Sequence, residues 1–136
     1  MKAAEAERDW DALRYYVDAG SDLRPWTQIG LVYTLQRLGD SPERNELLVR
    51  MARHAGPGAR RRCLFGLARE NPATWTDVFA TALDDSDRQC RLIAVDGLGR
   101  ANSEDGRRGL LQASASEDAT VRDAARQWLA PDKDRR

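Results

Sequence analysis

The chain is 136 residues long, and its 22 Lys+Arg are balanced by 22 Asp+Glu, for a formal net charge of zero. That length suffices for one domain with a continuous core, and the balance argues against a general polyanion binder. The two cysteines, Cys63 and Cys90, form no CxxC pair and exclude a disulfide framework. No run approaches the ~20 apolar residues of a membrane span.

Taken in chain order, apolar residues recur at helical spacing. Trp10, Leu13, Tyr16 and Val17 mark a first amphipathic segment over 5–19, interleaved with the acidic residues Glu5, Glu7, Asp9, Asp11 and Asp18. A second segment spans 25–38 and ends in Leu38-Gly39. Ser41-Pro42 starts a third, 42–54, with a capping hydroxyl and a Pro at the first helical position, where its missing N–H is no loss. Leu47, Leu48 and Met51 then fall on one face. Gly56-Pro57-Gly58 breaks the chain before the fourth segment, 58–69, where Arg60, Arg61 and Arg62 begin a basic stretch. Asn71-Pro72 opens the fifth, 73–83, carrying Trp75, Val78, Phe79, Ala82 and Leu83. Asp84-Asp85-Ser86-Asp87 leads into the sixth, 87–99; Ser103 starts the seventh, 104–114, with Leu110, Leu111 and Ala113; the eighth is 118–129. No stretch alternates with a period of two, so the expected class is all-α, with short loops between helices.

One pattern occurs twice near the end. Arg91 and Arg122, Ala94 and Ala125, and Leu98 and Leu129 are each separated by 31 residues. The same shift backwards reaches Arg60, Cys63 and Leu67, and a weaker copy over 29–39 sets Leu38-Gly39 against Leu98-Gly99 and Thr34 against Ala94. Repetition at this period signals stacked units. Asp87 and Asp118 are read as N-caps, and Gly39 and Gly99 as left-handed residues closing their helices. Arg91 and Arg122 are read as structural, tied to Asp85 and to Glu117 or Asp118. The turn before Arg60 lacks acids, so an Asp–Arg ladder should be interrupted there.

Asp-Asp-Ser-Asp-x-x-Cys-Arg-x-x-Ala-x-x-x-Leu-Gly over 84–99 and Glu-Asp-x-x-Val-Arg-x-x-Ala-x-x-x-Leu over 117–129 resemble HEAT repeats, specifically the short bacterial type first described in phycobilisome lyases. The resemblance is close over 84–129, fair over 56–83 and faint before that. It implies a right-handed α-solenoid of about four helix pairs (5–38, 42–69, 73–99 and 104–129) in one domain, 1–130, followed by a polar tail, 131–136. It also implies that the second helix of each pair, starting near 26, 59, 88 and 119, lines a concave binding face.

The candidate binding residues on that face are Arg60, Arg61, Arg91, Asp96, Arg122, Arg126, Trp26 and Trp128. Arg forks suit carboxylates and phosphates alike. Trp10 and Trp75 sit in apolar stripes and read as core. Trp26 follows Pro25 at a helix start and should be partly exposed, while Trp128 either shields the terminal core or anchors a partner. His54 is the sole histidine, Cys63 and Cys90 read as reduced packing residues, and no Ser-His pair, Cys-His pair or glycine-rich phosphate loop is present. We therefore expect a cytoplasmic, cofactor-free and metal-free binding module that docks a protein or peptide, with no catalytic residues. The alternatives are a nucleic-acid binder related to the HEAT-like DNA alkylation repair glycosylases, and a small HEAT-like lyase or biosynthetic accessory enzyme. The polar first helix and the tail should cap the array and keep a complete, monomeric protein.

Overall fold

A computed structural model of the chain describes residues 3–131, with side chains from residue 10 onward. The tail expected at 131–136 therefore lies outside the described residues except for Pro131, as do the side chains of Glu5, Glu7 and Asp9, to which a capping role was assigned. Among the described residues there are eight α-helices and no strand: α1 (Ala3–Ala19), α2 (Pro25–Arg37), α3 (Pro42–His54), α4 (Pro57–Glu70), α5 (Thr76–Ala82), α6 (Arg88–Ala101), α7 (Glu104–Ala113) and α8 (Ala119–Leu129). None of them is long and apolar enough to cross a membrane.

Helix starts follow the capping chemistry of the sequence. The Ser41 hydroxyl accepts from the Arg44 N–H, Ser103 from Gly106, Asp87 from Cys90 and Asp118 from Thr120, each satisfying a donor that the first helical turn leaves open. Asn71 makes no such bond. The segment after it opens as a 3-10 turn, Pro72–Trp75, and only then becomes the short helix α5, so the helix expected over 73–83 is shorter and starts later.

The chain forms two units, Met1–Cys63 and Leu64–Arg136, with the boundary inside α4. In the first, α3 packs on both α1 and α2, and Leu31, Val32, Leu35, Leu47, Leu48 and Met51 are buried. In the second, α6 packs against α5, α7 and α8, while α5 meets α7 and α7 meets α8. The first helices of successive pairs thus touch each other, and so do the second helices, giving two layers within this unit. Phe79, Ala94, Val95 and Leu98 are at most 1% exposed between them. Trp75 is buried as expected, whereas Tyr16 and Leu111, both placed in apolar stripes from the sequence, are 48% and 53% exposed.

Two sequence expectations need correction. Gly39 and Gly99 do not end helices in the left-handed conformation; among the described residues positive φ occurs at Gly20, directly after α1 (φ 53°), and at Asn102, after α6 (φ 46°), residue types that tolerate this region. Gly99 lies inside α6, where a Cβ would run into the indole of Trp128. It is glycine because α8 approaches closely, not because the chain turns.

The second correction concerns the register of α2. This helix ends at Arg37, and its buried residues are Leu31, Val32 and Leu35. These match Ala94, Val95 and Leu98 of α6, so Leu31 rather than Thr34 fills the slot of Ala94. Thr34 is exposed, and its hydroxyl is bonded to the Gly30 carbonyl. Matching Leu38-Gly39 to Leu98-Gly99 displaced the weak copy by three residues (98 − 35 = 63 against 98 − 38 = 60).

Candidate functional site

Arginines one turn into a helix reach back to a carbonyl of the preceding loop. Arg60 Nη1 donates to Ala55 O at 2.7 Å, Arg91 Nη1 to Asp85 O at 2.7 Å, and Arg122 Nη1 to Ser116 O at 3.4 Å. Arg44 on α3 does the same to Leu38 O at 3.0 Å. A guanidinium has donors to spare, and the loop carbonyl has no helical partner, so the bond pins each helix to its own entry loop. Arg60, set apart as a binding residue because its turn lacks acids, thus spends one of its donors on a backbone oxygen.

Asp118 joins one repeat to the next. Its Oδ2 accepts from Arg91 Nη2 and from Arg88 Nε, both at 2.9 Å, while Oδ1 accepts from the Thr120 N–H at 3.0 Å. The acid in the turn thus serves the arginine of the preceding repeat rather than Arg122, as had been expected; Arg122 instead lies 3.9 Å from Asp123. An Arg near a helix N-terminus sits at the unfavourable end of the dipole, and the capping carboxylate beside it offsets that cost. The Arg91 bond, helped by Arg88 and the backbone N–H groups and opposed by partial desolvation, lowers the Asp118 carboxyl from 3.8 to about 2. A carboxyl lowered on folding stabilises above its unfolded value and loses that contribution as the pH falls through the folded value. Thermal melts should therefore show wild type losing midpoint between pH ~4 and ~2 more steeply than Asp118→Asn. Parallel slopes for the two proteins would remove the bridge from the account of stability.

In the first unit a neutral side chain performs this task. With the register set by burial, Gln28 occupies the position of Arg60, Arg91 and Arg122. It is 3% exposed, its Nε2 donates to Leu23 O at 2.7 Å, and its Oε1 accepts from the Gly56 N–H at 2.6 Å. One amide thereby holds its own entry loop and the next turn, as Arg91 does with Asp85 and Asp118. The interruption expected at the acid-free turn takes this form. Sequence reasoning overlooked Gln28, although aligning Leu31-Val32 with Ala94-Val95 would have found it.

One position further round the second helices of the second unit comes an outward ridge, Phe65, Asp96 and Gln127; Tyr33 holds the matching place on α2 of the first unit. Tyr33 is 42% and Phe65 38% exposed. Arg62 lies over the Tyr33 ring and Arg69 over the Phe65 ring, each 4.4 Å from the centroid. Asp96 accepts from Arg100 Nε at 2.8 Å. Arg61 is exposed, with Nε bonded to Pro57 O at 3.2 Å. Arg126 is exposed too, but it takes the position that Val32, Leu64 and Val95 bury, so it belongs to the flank of α8 rather than to the ridge.

The tryptophans divide sharply. Trp26 is 83% exposed, ahead of every other large apolar side chain described. Trp128 is half-buried over Gly99 and lines a cleft of ≈ 320 Å³ with Leu98, Leu110, Leu129 and Arg107. Cys63 and Cys90 form no disulfide and are fully buried; Cys63 Sγ lies 3.2 Å from Leu48 O, and burial pushes its thiol up to about 12, so it stays protonated and inert at neutral pH. Among the described residues no three of His, Cys, Asp and Glu gather as a metal-ligand set. Comparisons of the chain with protein families, with curated proteins and with solved structures gave no match.

Proposed function

We propose that the chain is a HEAT-like module, a right-handed solenoid of about four helix pairs, which works in the cytoplasm as a monomeric, non-catalytic adaptor or assembly factor. Its second helices form the docking face for a protein or peptide. The layered packing of α5 to α8 supports the stacking, and so does the recurrence of one clip at Gln28, Arg60, Arg91 and Arg122. The observation that carries the function is that Tyr33 in the first unit and Phe65 in the second, at matching places on their helices, stay exposed beneath Arg62 and Arg69. Aromatic and Arg side chains held ready at a surface are the groups that dominate protein interfaces. Arg91 and Arg122 belong to the scaffold in this reading, and Arg61, Asp96 and Trp26 to the contact surface.

Tagged protein should retain a partner protein from its host cell, and Tyr33→Glu/Phe65→Glu should release it with the helical circular dichroism unchanged. Retention of nuclease-sensitive material in place of protein would favour the nucleic-acid alternative. A partner held equally by both forms would remove the ridge as the docking face.

A further inference from the structure

Apart from the outward ridge, we infer that the end of the second unit formed by α7 and α8 is an acceptor face for one further helix pair, supplied by a partner protein and entering with an acidic N-cap. The interface just before it shows what such a face needs. On α5, Thr76 and Ala80 line a hollow with Asp105 and Gly109 of α7. On α6, Arg91, Val95 and Gly99 recur every four residues and form one stripe. Arg91 bonds Asp118 and Gly99 meets the Trp128 indole, so this stripe faces α8, while Leu98 lies against Gly109 of α7. One period of 31 residues later these places hold Arg107 and Leu111 on α7, and Arg122, Arg126, Leu129 and Ala130 at α8. Three of them repeat Arg60, Leu67 and Ala68 of α4 unchanged, and Leu67 and Ala68 are 1% exposed. The last pair thus keeps residues that an earlier helix buries, and adds Leu111, 53% exposed. A surface that only capped the array would be polar throughout.

Position, not net charge, chooses the occupant, because the four arginines of α7 and α8 are matched by Glu104, Asp105, Glu117 and Asp123. Asp105 is paired with Arg108, Asp123 stands 3.9 Å from Arg122, and Asp118 is held by Arg88 and Arg91. Arg91 spends Nη1 on its own entry loop and Nη2 on the capping acid of a following helix, Asp118. Arg122 repeats the first bond, to Ser116 O, but among the described residues no following helix brings an acid to its Nη2. The place of Asp118 one period on is therefore the place for a partner's N-cap Asp, which starts its helix and takes the guanidinium. Size sets a second condition. The indole of Trp128 leaves no room for a Cβ at Gly99, and Ala130, which follows Gly99 by one period, carries one. The partner must bring a small residue to the place that Trp128 fills one period earlier, so the α7–α8 pair of a second copy does not fit in this register.

The test extends the full chain after Lys133, in register, with a second copy of residues 72–102, which supplies the N-cap Asp87 and the small Gly97. Urea unfolding followed by circular dichroism should show one transition with a higher midpoint and a larger slope, since a stacked repeat joins its neighbour's cooperative unit. Asp87→Asn in the copy keeps a capping side chain but removes the charge, and should lower the folding constant about tenfold. A chain extended instead with a copy of residues 103–133 should gain nothing until Ala130→Gly makes room for the incoming Trp128. Proteins that the tagged wild type holds by this face should be lost from the first extended chain, whose face is filled, and kept by Tyr33→Glu/Phe65→Glu. An unchanged midpoint or a separate second transition overturns the inference, as does indifference to Asp87→Asn or an equal gain from both copies. So does an extended chain that keeps every partner of the wild type. A partner released by the ridge variant alone upholds the ridge and ends the acceptor face.

Discussion

Phe79→Ala is expected to cost about 3–5 kcal/mol, a large share of the usual total of about 5–15 kcal/mol and enough to unfold much of the protein at the low end of that range. The ring is fully buried on α5 and lies against α6 at Gly97, where an added Cβ would stand 2.6 Å from it. Only hydrogen fits at position 97 while the ring is present. Gly97→Ala alone should therefore destabilise by about 1–3 kcal/mol through overpacking. Once Phe79 is Ala the clash is gone, and what remains is the helix preference for Ala over Gly, close to 1 kcal/mol. Gly97→Ala should thus change sign and stabilise the Phe79→Ala protein. Urea unfolding followed by circular dichroism would measure the four corners of this cycle; simple additivity of the two costs would show that α5 and α6 do not meet through this pair.

What could be read from the sequence was what depends on near neighbours. Ser41-Pro42, Ser103, Asp87 and Asp118 announce helix starts through bonds to N–H groups two or three residues on, and all four make them. The Ala94 and Ala125 slots were legible because close helix approach demands small side chains there, and both are fully buried. Reading failed where one role admits different chemistries. Leu31 replaces Ala in the packing slot and Gln28 replaces Arg in the clip, so neither looked like a repeat residue and the register of α2 slipped. Arg60 was judged by its missing acids, although the carbonyl it uses is present whatever the residue. Tyr33 and Phe65 were passed over because an aromatic at helical spacing reads as core; only the direction of each helix face turns them outward.

The Gln28 clip gives the most direct test of whether these positions are one repeated device. Gln28→Leu keeps the volume but leaves the Leu23 carbonyl and the Gly56 N–H without their partner, at a cost of about 1–3 kcal/mol. Gln28→Arg restores the residue of the other three copies: its guanidinium can donate to Leu23 O but cannot accept from Gly56 N–H, so two donors face each other and the single change should destabilise. Gly56→Asp supplies the missing half. Gly56 has no left-handed φ to forbid a side chain, and it stands where Asp118 stands relative to Arg91. The Gln28→Arg/Gly56→Asp protein should recover at least 1 kcal/mol over the sum of the single changes, the order of coupling that close charged pairs show. It should also acquire the acid sensitivity of the Arg91–Asp118 bridge, losing midpoint as the pH falls below ~4, because a carboxylate held by Arg is lowered on folding. A double variant no better than its singles, or one whose melting ignores pH, would mean that Gln28 and Arg91 share a place in the alignment and nothing more.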